Sequence, residues 1–281
     1  MSANASLDRY LPAASVVLFV LFLWTADVLA KSDLDRFELR GPVKTVVTKY
    51  PQLRTTQQFD RNGFLTSLEL FQADGRDSAR YVFVHDATGR VIEEQTFEPD
   101  GTVAYKKIFR YGFDERGRQT ALVAATDTGA FTNAEFAIYD DRGFLTEELS
   151  VSGQGLIEKS LFDVRGNLVY HARYYQGKLV QEATHHHTAL GRLKESRYYG
   201  FDGDLMRKDL YRYNEAGQLI EQQSEVFHQS HLRKTVVTFE FDHAGNWIKE
   251  TVQQWTDKGG SLALAETVVS RERLLTYYGS E

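Results

Sequence analysis

Carboxylates recur at a fixed place in this sequence of 281 residues. An Asp or Asn lies three residues before a Gly in seven of the eight copies of a short motif that begins with an aromatic residue or His. The acidic or amide residues are Asp60, Asp86, Asp114, Asp140, Asp163, Asn214 and Asp242, and the glycines are Gly63, Gly89, Gly117, Gly143, Gly166, Gly191, Gly217 and Gly245. Such a series could bind calcium or supply general acids and bases. A calcium loop, however, needs several oxygen ligands close together and a bidentate Glu, and no copy has that density.

Turn formation explains the same spacing without a ligand. An Asp side chain accepts a hydrogen bond from the backbone two residues later, and Gly adopts the positive φ that closes a type I turn with a bulge. We therefore interpret these Asp, Asn and Gly residues as structural turns between antiparallel strands.

His185 and His187 are the candidate metal ligands of this sequence. In a strand they lie on one face, with His186 on the other. Two such imidazoles hold Zn²⁺ or Cu²⁺ when a third ligand is supplied. The alternative, which we favour, is that they replace the aromatic or small residues found at these positions in other copies. We predict no cofactor.

An Arg-Tyr-Tyr sequence occurs twice, and its members are the candidate ligand-binding residues: Arg173, Tyr174, Tyr175, Arg197, Tyr198 and Tyr199. Tyr rings beside Arg suit stacking on sugars and hydrogen bonding to their hydroxyls. Ordinary packing between neighbouring strands is the alternative. Because adjacent strand residues face opposite ways, one Tyr of each pair is expected on each face of the sheet.

Sequence motifs of common enzymes are missing from the chain. There is no Gly-x-Ser-x-Gly, phosphate loop, His-Glu-x-x-His or dinucleotide fingerprint. Acidic pairs such as Glu93-Glu94 and Glu147-Glu148 are expected to split between the two faces of a strand, where we interpret them as solvated rather than catalytic. A binding role is therefore favoured over an enzymatic one.

The motif also sets the architecture. Successive motif glycines are 26, 28, 26, 23, 25, 26 and 28 residues apart, and a second turn such as Asp100-Gly101 or Asp202-Gly203 follows about 12 residues later. Each repeat of about 26 residues is therefore two strands and two turns. The prediction is an all-β protein, an array of antiparallel β-hairpin repeats within a single domain at 38–281. Some seventeen strands cannot stay flat, so the sheet should coil or close in part.

The repeated pattern, aromatic-Asp-x-x-Gly-x-Leu, resembles the YD repeats of the Rhs and teneurin families. Residues 211–219, Tyr-Arg-Tyr-Asn-Glu-Ala-Gly-Gln-Leu, match it best, and the similarity covers roughly residues 55–256. The resemblance implies a sheet of successive hairpins that coils into a spiral or shell, and a role in carbohydrate binding. Only about 25 residues follow Trp255, so the variable toxin domain of Rhs proteins is not expected here.

The amino-terminal segment predicts export. The apolar run at 13–24 and the small residues before Lys31 fit a cleaved signal peptide at 1–30, with a signal anchor as the alternative and a spacer at 31–37. The chain has no Cys, and its net charge of −6 argues against nucleic acid as the partner. We expect a periplasmic or secreted binding or scaffold protein that recognises envelope glycan or an envelope protein. It would contact a membrane only if the amino-terminal segment is uncleaved, and the alternative function is a glycan hydrolase.

Overall fold

The computed structural model describes residues 32–37, 39–72, 79–228, 231–257 and 262–279. The predicted signal segment lies outside the described residues. The elements are one helical turn, α1 (Asp33–Arg36), and the strands β1 (Val43–Lys49), β2 (Leu53–Phe59), β3 (Leu65–Gln72), β4 (Ala79–His85), β5 (Val91–Phe97), β6 (Val103–Phe113), β7 (Gln119–Thr126), β8 (Phe131–Tyr139), β9 (Leu145–Ser152), β10 (Leu156–Phe162), β11 (Leu168–Tyr175), β12 (Lys178–His187), β13 (Leu193–Gly200), β14 (Leu205–Tyr213), β15 (Leu219–His228), β16 (His231–Phe241), β17 (Trp247–Asp257) and β18 (Leu262–Tyr277).

The strands form a closed barrel. Each strand pairs antiparallel with the next along the chain, and β1 also pairs with β18, with Val46 opposite Leu275. The predicted array of antiparallel hairpins is confirmed, but partial closure was too weak a prediction, because the ring of eighteen strands is complete. Lys49 of β1 lies within the ladder of β1 and β18, opposite Glu272 of β18. Closure removes the unpaired edge that an open sheet would leave.

The motif turns have the geometry that their residues favour. At each copy the Gly N–H donates to the backbone carbonyl of the residue three positions earlier, and the Gly has positive φ. In the first copy Asp60 Oδ1 accepts hydrogen bonds from the N–H groups of Asn62 and Phe64. The strand register shifts by one residue beside the turn, between Gln58 and Phe59, as a bulge requires.

Strand register divides the barrel wall into two faces. Directly opposite residues of antiparallel strands share a face, and following these pairs around the ring separates an inner from an outer set. The inner set contains buried side chains in every part of the ring, including Val46, Leu68, Leu122, Ser196 and Glu250. It also contains the first residue of each motif copy: Phe59, His85, Phe113, Tyr139, Phe162, His187, Tyr213 and Phe241.

Ion pairs between neighbouring strands cover the outer face. They join Arg80 to Glu69, Lys106 to Glu93, Lys159 to Glu147, Arg212 to Glu221, and Lys249 to Glu240. The pairs are distributed around the circumference. Water stabilises the charged side chains at these positions, and exposed apolar side chains such as Ile138 and Leu274 lie on the same face.

One side of the interior is filled with apolar side chains, and we call it the packed sector (α1, β1–β4 and β18). Leu34, Val46, Phe59, Leu68 and Phe83 belong to one buried cluster there. Phe37 packs against Phe59 edge to face, with ring centroids 5.9 Å apart. The stretch predicted as a spacer thus contributes side chains to the core, and it is held to the barrel by the Leu34 N–H, which donates to the Gly63 carbonyl.

Hydrogen bonds also connect successive motif turns along one rim of the barrel. The Arg116 side chain donates to the carbonyl of Asp141 in the next turn, and Arg165 donates to Ala189 in the same way. At the end of the series, Asn246 donates to the Arg40 carbonyl and accepts from the Arg40 N–H. The last turn is therefore joined to the chain segment that precedes β1, which supports closure of the ring.

Within the part of the chain that the structure describes, no helix has both the length and the apolar character needed to cross a membrane.

Candidate functional site

The candidate site is the inner wall of β8–β14, which we call the hydrated sector. Every residue of β9 and β10 is only partly buried, on both faces of the sheet. An eighteen-stranded ring encloses more space than the side chains of its wall can fill. Much of the inner face of this sector therefore borders water, unlike the inner face of the packed sector, although Ser196 of β13 and Asp209 of β14 are buried within it.

Three carboxyl groups lie close together on this wall. Glu135 of β8 and Glu158 of β10 both lie opposite Ser150 of β9, and Glu148 of β9 lies opposite Ser160 of β10. Glu148 is thus a diagonal neighbour of both other carboxyls, at a separation of roughly 7–8 Å. The sequence analysis expected the Glu147-Glu148 pair to split between the two faces of the strand, and it does: Glu147 lies on the outer face, and Glu148 lies partly buried on the inner face.

Burial and mutual repulsion raise the pKa of two of these carboxyls. Burial, and then the charge of Glu135, raises the pKa of Glu148 to about 8. Burial, and then the charge of Glu158, raises the pKa of Glu135 to about 7. The third group has a cationic partner, because Arg173 Nε lies 2.8 Å from Glu158 Oε1. The wall therefore places two carboxyls with raised pKa values beside one that is paired with a guanidinium.

A second inner cluster lies on β12–β14. His185 Nδ1 shares a 2.9 Å hydrogen bond with Ser196 Oγ, and Ser196 lies opposite Asp209. The Arg207 guanidinium stacks on the ring of Tyr198, with its carbon 3.8 Å from the ring centroid. Burial, and then the charges of His171, His187 and His186, lowers the pKa of His185 to about 4, so this imidazole is neutral at neutral pH.

The barrel wall separates the six predicted binding residues. Arg173, Tyr175 and Tyr198 lie on the inner face, whereas Tyr174, Arg197 and Tyr199 lie on the outer face. Arg197 is engaged outside by Glu195, with Nε 2.5 Å from Oε1. The two Arg-Tyr-Tyr copies therefore do not form one surface, and only their inner members belong to the hydrated sector.

His185 and His187 share the inner face, and His186 lies outside. Among the described residues, no group of three or more His, Cys, Asp and Glu side chains is arranged to hold a metal ion. His185 acts as a hydrogen-bond partner of Ser196. Burial lowers the pKa of His187, against the opposing effect of Asp163.

Sequence reasoning missed the most polar members of the site: Glu135, Glu148, Glu158, Arg207 and Asp209. A signal for them was present, since the first residue of each motif marks the inner face. Counting back in steps of two from Tyr139 reaches Glu135, and from Tyr213 it reaches Asp209 and Arg207. The period of two was recognised, but the motif was not used to decide which face points inward.

Comparison with known proteins supplies no activity for this chain. No protein-family model and no curated protein matches the chain. Among solved structures, a porin-like protein from Bacteroides uniformis is 10% identical with a TM-score of 0.44, over 84% of this chain and 98% of that one. A porin-like protein from Bacteroides vulgatus is 11% identical with a TM-score of 0.26, over 84% and 98%. TcdB2-TccC3 is 12% identical with a TM-score of 0.35, and its match covers 82% of this chain but only 15% of its own length. Similarities this low carry no argument about function.

Proposed function

We propose that this protein is an exported barrel that binds envelope glycan inside its lumen, on the inner wall of the hydrated sector. The observation that supports the proposal is the contrast between the two sides of the interior. Apolar side chains fill one side, while the other presents Glu158, Arg173, Tyr198 and Arg207 to water. Carboxylates and guanidinium groups together accept from and donate to sugar hydroxyls, and aromatic rings stack on sugar faces.

A glycan array together with an envelope pull-down tests this function. The exported chain should retain a glycan, and Arg173→Ala should weaken retention about fivefold or more, because a charge-assisted hydrogen bond is lost. Arg212→Ala is the matched control, because Arg212 pairs with Glu221 on the outer face. Retention that falls equally in both variants would place the ligand outside the lumen. Capture of an envelope protein with no glycan would overturn the proposal.

The carboxyl cluster favours a second candidate, a glycan hydrolase. Glu148, protonated at neutral pH, would act as general acid, and Glu158, paired with Arg173, would act as base or nucleophile. Glycosidases use two carboxyls roughly 5–9.5 Å apart, and diagonal neighbours in a sheet lie within that range.

Release of reducing ends from envelope polysaccharide is the measurement for the second candidate. Glu148→Gln and Glu158→Gln should each abolish release, whereas Glu147→Gln on the outer face should retain it. If the unmodified barrel binds polysaccharide and releases no reducing ends, the enzymatic function is rejected and binding stands.

A further inference from the structure

A buried carboxylate of the hydrated sector lacks a full set of partners. Asp209 is 1% exposed, and its Oδ1 accepts no hydrogen bond. Its other oxygen has two long contacts, 3.3 Å to Arg207 Nη2 and 3.4 Å to the Tyr211 hydroxyl. Buried carboxylate oxygens are normally paired, and leaving one without a donor is costly. A donor supplied from outside the chain would complete the site.

The neighbouring guanidinium, that of Arg207, has an N–H group without an acceptor. Arg207 Nε is buried and donates no hydrogen bond. Its side chain is nevertheless 43% exposed and rests on Tyr198, which lies opposite it on β13. An unused donor and an unused acceptor thus lie two residues apart on the same face of β14, a spacing that a single small ligand can bridge.

Charge at this position favours a neutral ligand. Arg207 and Asp209 carry opposite charges and form an ion pair. His185, on the far side of Ser196, is neutral at neutral pH because burial lowers its pKa to about 4. A phosphate or carboxylate ligand would be repelled by Asp209, and an ammonium ligand by Arg207. A group that both accepts and donates without a net charge fits the pair.

We infer that Arg207 and Asp209 form a subsite for the vicinal diol of a neutral sugar. One hydroxyl oxygen accepts from Arg207 Nε–H, and the adjacent hydroxyl donates to Asp209 Oδ1. Both protein atoms are covered before the ligand arrives, so Arg207 must shift on Tyr198 to admit it. The long 3.3 Å contact with Asp209 allows that shift. This subsite rests on the proposed glycan-binding function and gives it a position and a ligand chemistry.

The test uses total envelope polysaccharide as the probe, before and after periodate oxidation, which cleaves vicinal diols. The unmodified chain should bind the untreated polysaccharide at least about tenfold more tightly than the oxidised one, because two hydrogen bonds to buried charged groups are lost. Arg207→Lys keeps a positive charge beside Asp209 but removes the Nε–H, and Asp209→Leu removes the acceptor. Each should weaken binding about tenfold. Arg212→Lys, on the outer face of the same strand, should leave it unchanged.

The outcomes separate the subsite from the function. If the unmodified chain binds untreated and oxidised polysaccharide equally, or if both β14 variants bind like Arg212→Lys, the subsite is wrong while lumenal binding stands. If the unmodified chain binds no polysaccharide, the proposed function is wrong and the subsite fails with it. Thermal unfolding of each variant identifies one that has lost the fold. In that case the subsite is tested by the other variant together with the periodate comparison.

Discussion

The packed and hydrated sectors are built from the same repeat but have opposite interiors. In β2 the first motif residue, Phe59, is buried against Phe37 and its inner neighbour is Gln57. In β14 the corresponding residue is Tyr213, and the inner positions before it are Tyr211, Asp209 and Arg207. The turns that define the repeat are alike in both sectors. The repeat thus provides the wall, and the side chains that face inward from it differ between the two sectors.

The contrast also separates stability from function. The packed sector brings together the two ends of the barrel, since β1 and β18 meet there beneath α1. The hydrated sector lies in the middle of the array, away from the strands that close the ring. Polar and ionisable groups are tolerated at that place because ladder hydrogen bonds already hold the wall.

The largest expected effect is loss of core packing in the packed sector. Phe59→Ala should lower the free energy of unfolding by about 3–5 kcal/mol, because it leaves a cavity in a closed cluster. Phe162→Ala removes the equivalent side chain in the hydrated sector, where it is only partly buried, and should cost about 1–2 kcal/mol. Denaturant unfolding measures both. Equal losses would show that the two interiors are packed alike.

The second effect tests the contact that joins the last motif turn to the segment before β1. Asn246 is 1% exposed and its side chain bonds Arg40 and the Tyr277 hydroxyl, so Asn246→Ala should cost about 2–3 kcal/mol. Asn167 occupies the same place after its own motif Gly, but its side chain donates its hydrogen bond within its own turn, to Asp163. Asn167→Ala should cost less than about 1 kcal/mol. Hydrogen exchange of backbone amides in β1 and β18 should become faster in Asn246→Ala alone. If these amides stay protected in both variants, the contact of Asn246 with Arg40 and Tyr277 does not hold the ring closed.

The third effect depends on pH and belongs to the hydrated sector. The pKa of Glu148 is about 8 in the folded barrel, against an ordinary value of 4.5. The fold therefore binds more protons than the unfolded chain between these values. Its stability is complete below about pH 4.5 and falls as the pH rises toward about 8, by an amount on the order of 1–3 kcal/mol.

Thermal unfolding between pH 4 and 9 measures this loss. Glu148→Gln should reduce the slope, because the glutamine stays uncharged throughout and only Glu135 then titrates at a raised pKa among these carboxyls. Glu147→Gln, whose parent side chain pairs with Lys159 outside, should keep the slope. A profile that Glu148→Gln leaves unchanged would assign the titration to other groups.

The smallest effect compares two motif turns. Gly89 and Gly117 have similar φ, +83° and +74°, but an added Cβ would lie 2.0 Å from Phe64 at Gly89 and meets no atom within 4 Å at Gly117. Both alanine variants carry the strain of positive φ, on the order of 1 kcal/mol. Gly89→Ala should lose about 1 kcal/mol more, because Phe64 must move. Equal melting temperatures of the two variants would show that the Phe64 ring moves aside with no loss of stability.

Prediction from the sequence succeeded where the interactions are local. Asp60 and Gly63 fix their own turn through contacts within five residues, and the period of two in the flanking strands follows from backbone geometry. The pairing of strands that lie far apart in the sequence was harder to predict. That β1 meets β18 depends on the twist and tilt accumulated over all the strands, which no single repeat encodes. The inner position of Glu148 required knowledge of which face closes inward.

Residues near the start of the array show the same limit. Leu34 and Phe37 form part of a short polar-looking stretch in the sequence, and their neighbours along the chain do not indicate burial. Only the closed barrel brings Phe59 and Leu68 to the place where these side chains can pack. Asp209 likewise has no exceptional sequence context, and its unpaired oxygen follows from the strands on either side of it.

The sequence by itself determined the repeat: alternating strands, turns built from Asp and Gly, and an all-β array of hairpins. These features depend on hydrogen bonds and steric limits within a few residues, so each repeat specifies them independently. The tertiary structure decided that the array closes, which face becomes the interior, and that one side of the interior packs while the other holds carboxyl, guanidinium and imidazole groups. Those outcomes depend on contacts between residues far apart in sequence, and only the completed ring brings such residues together.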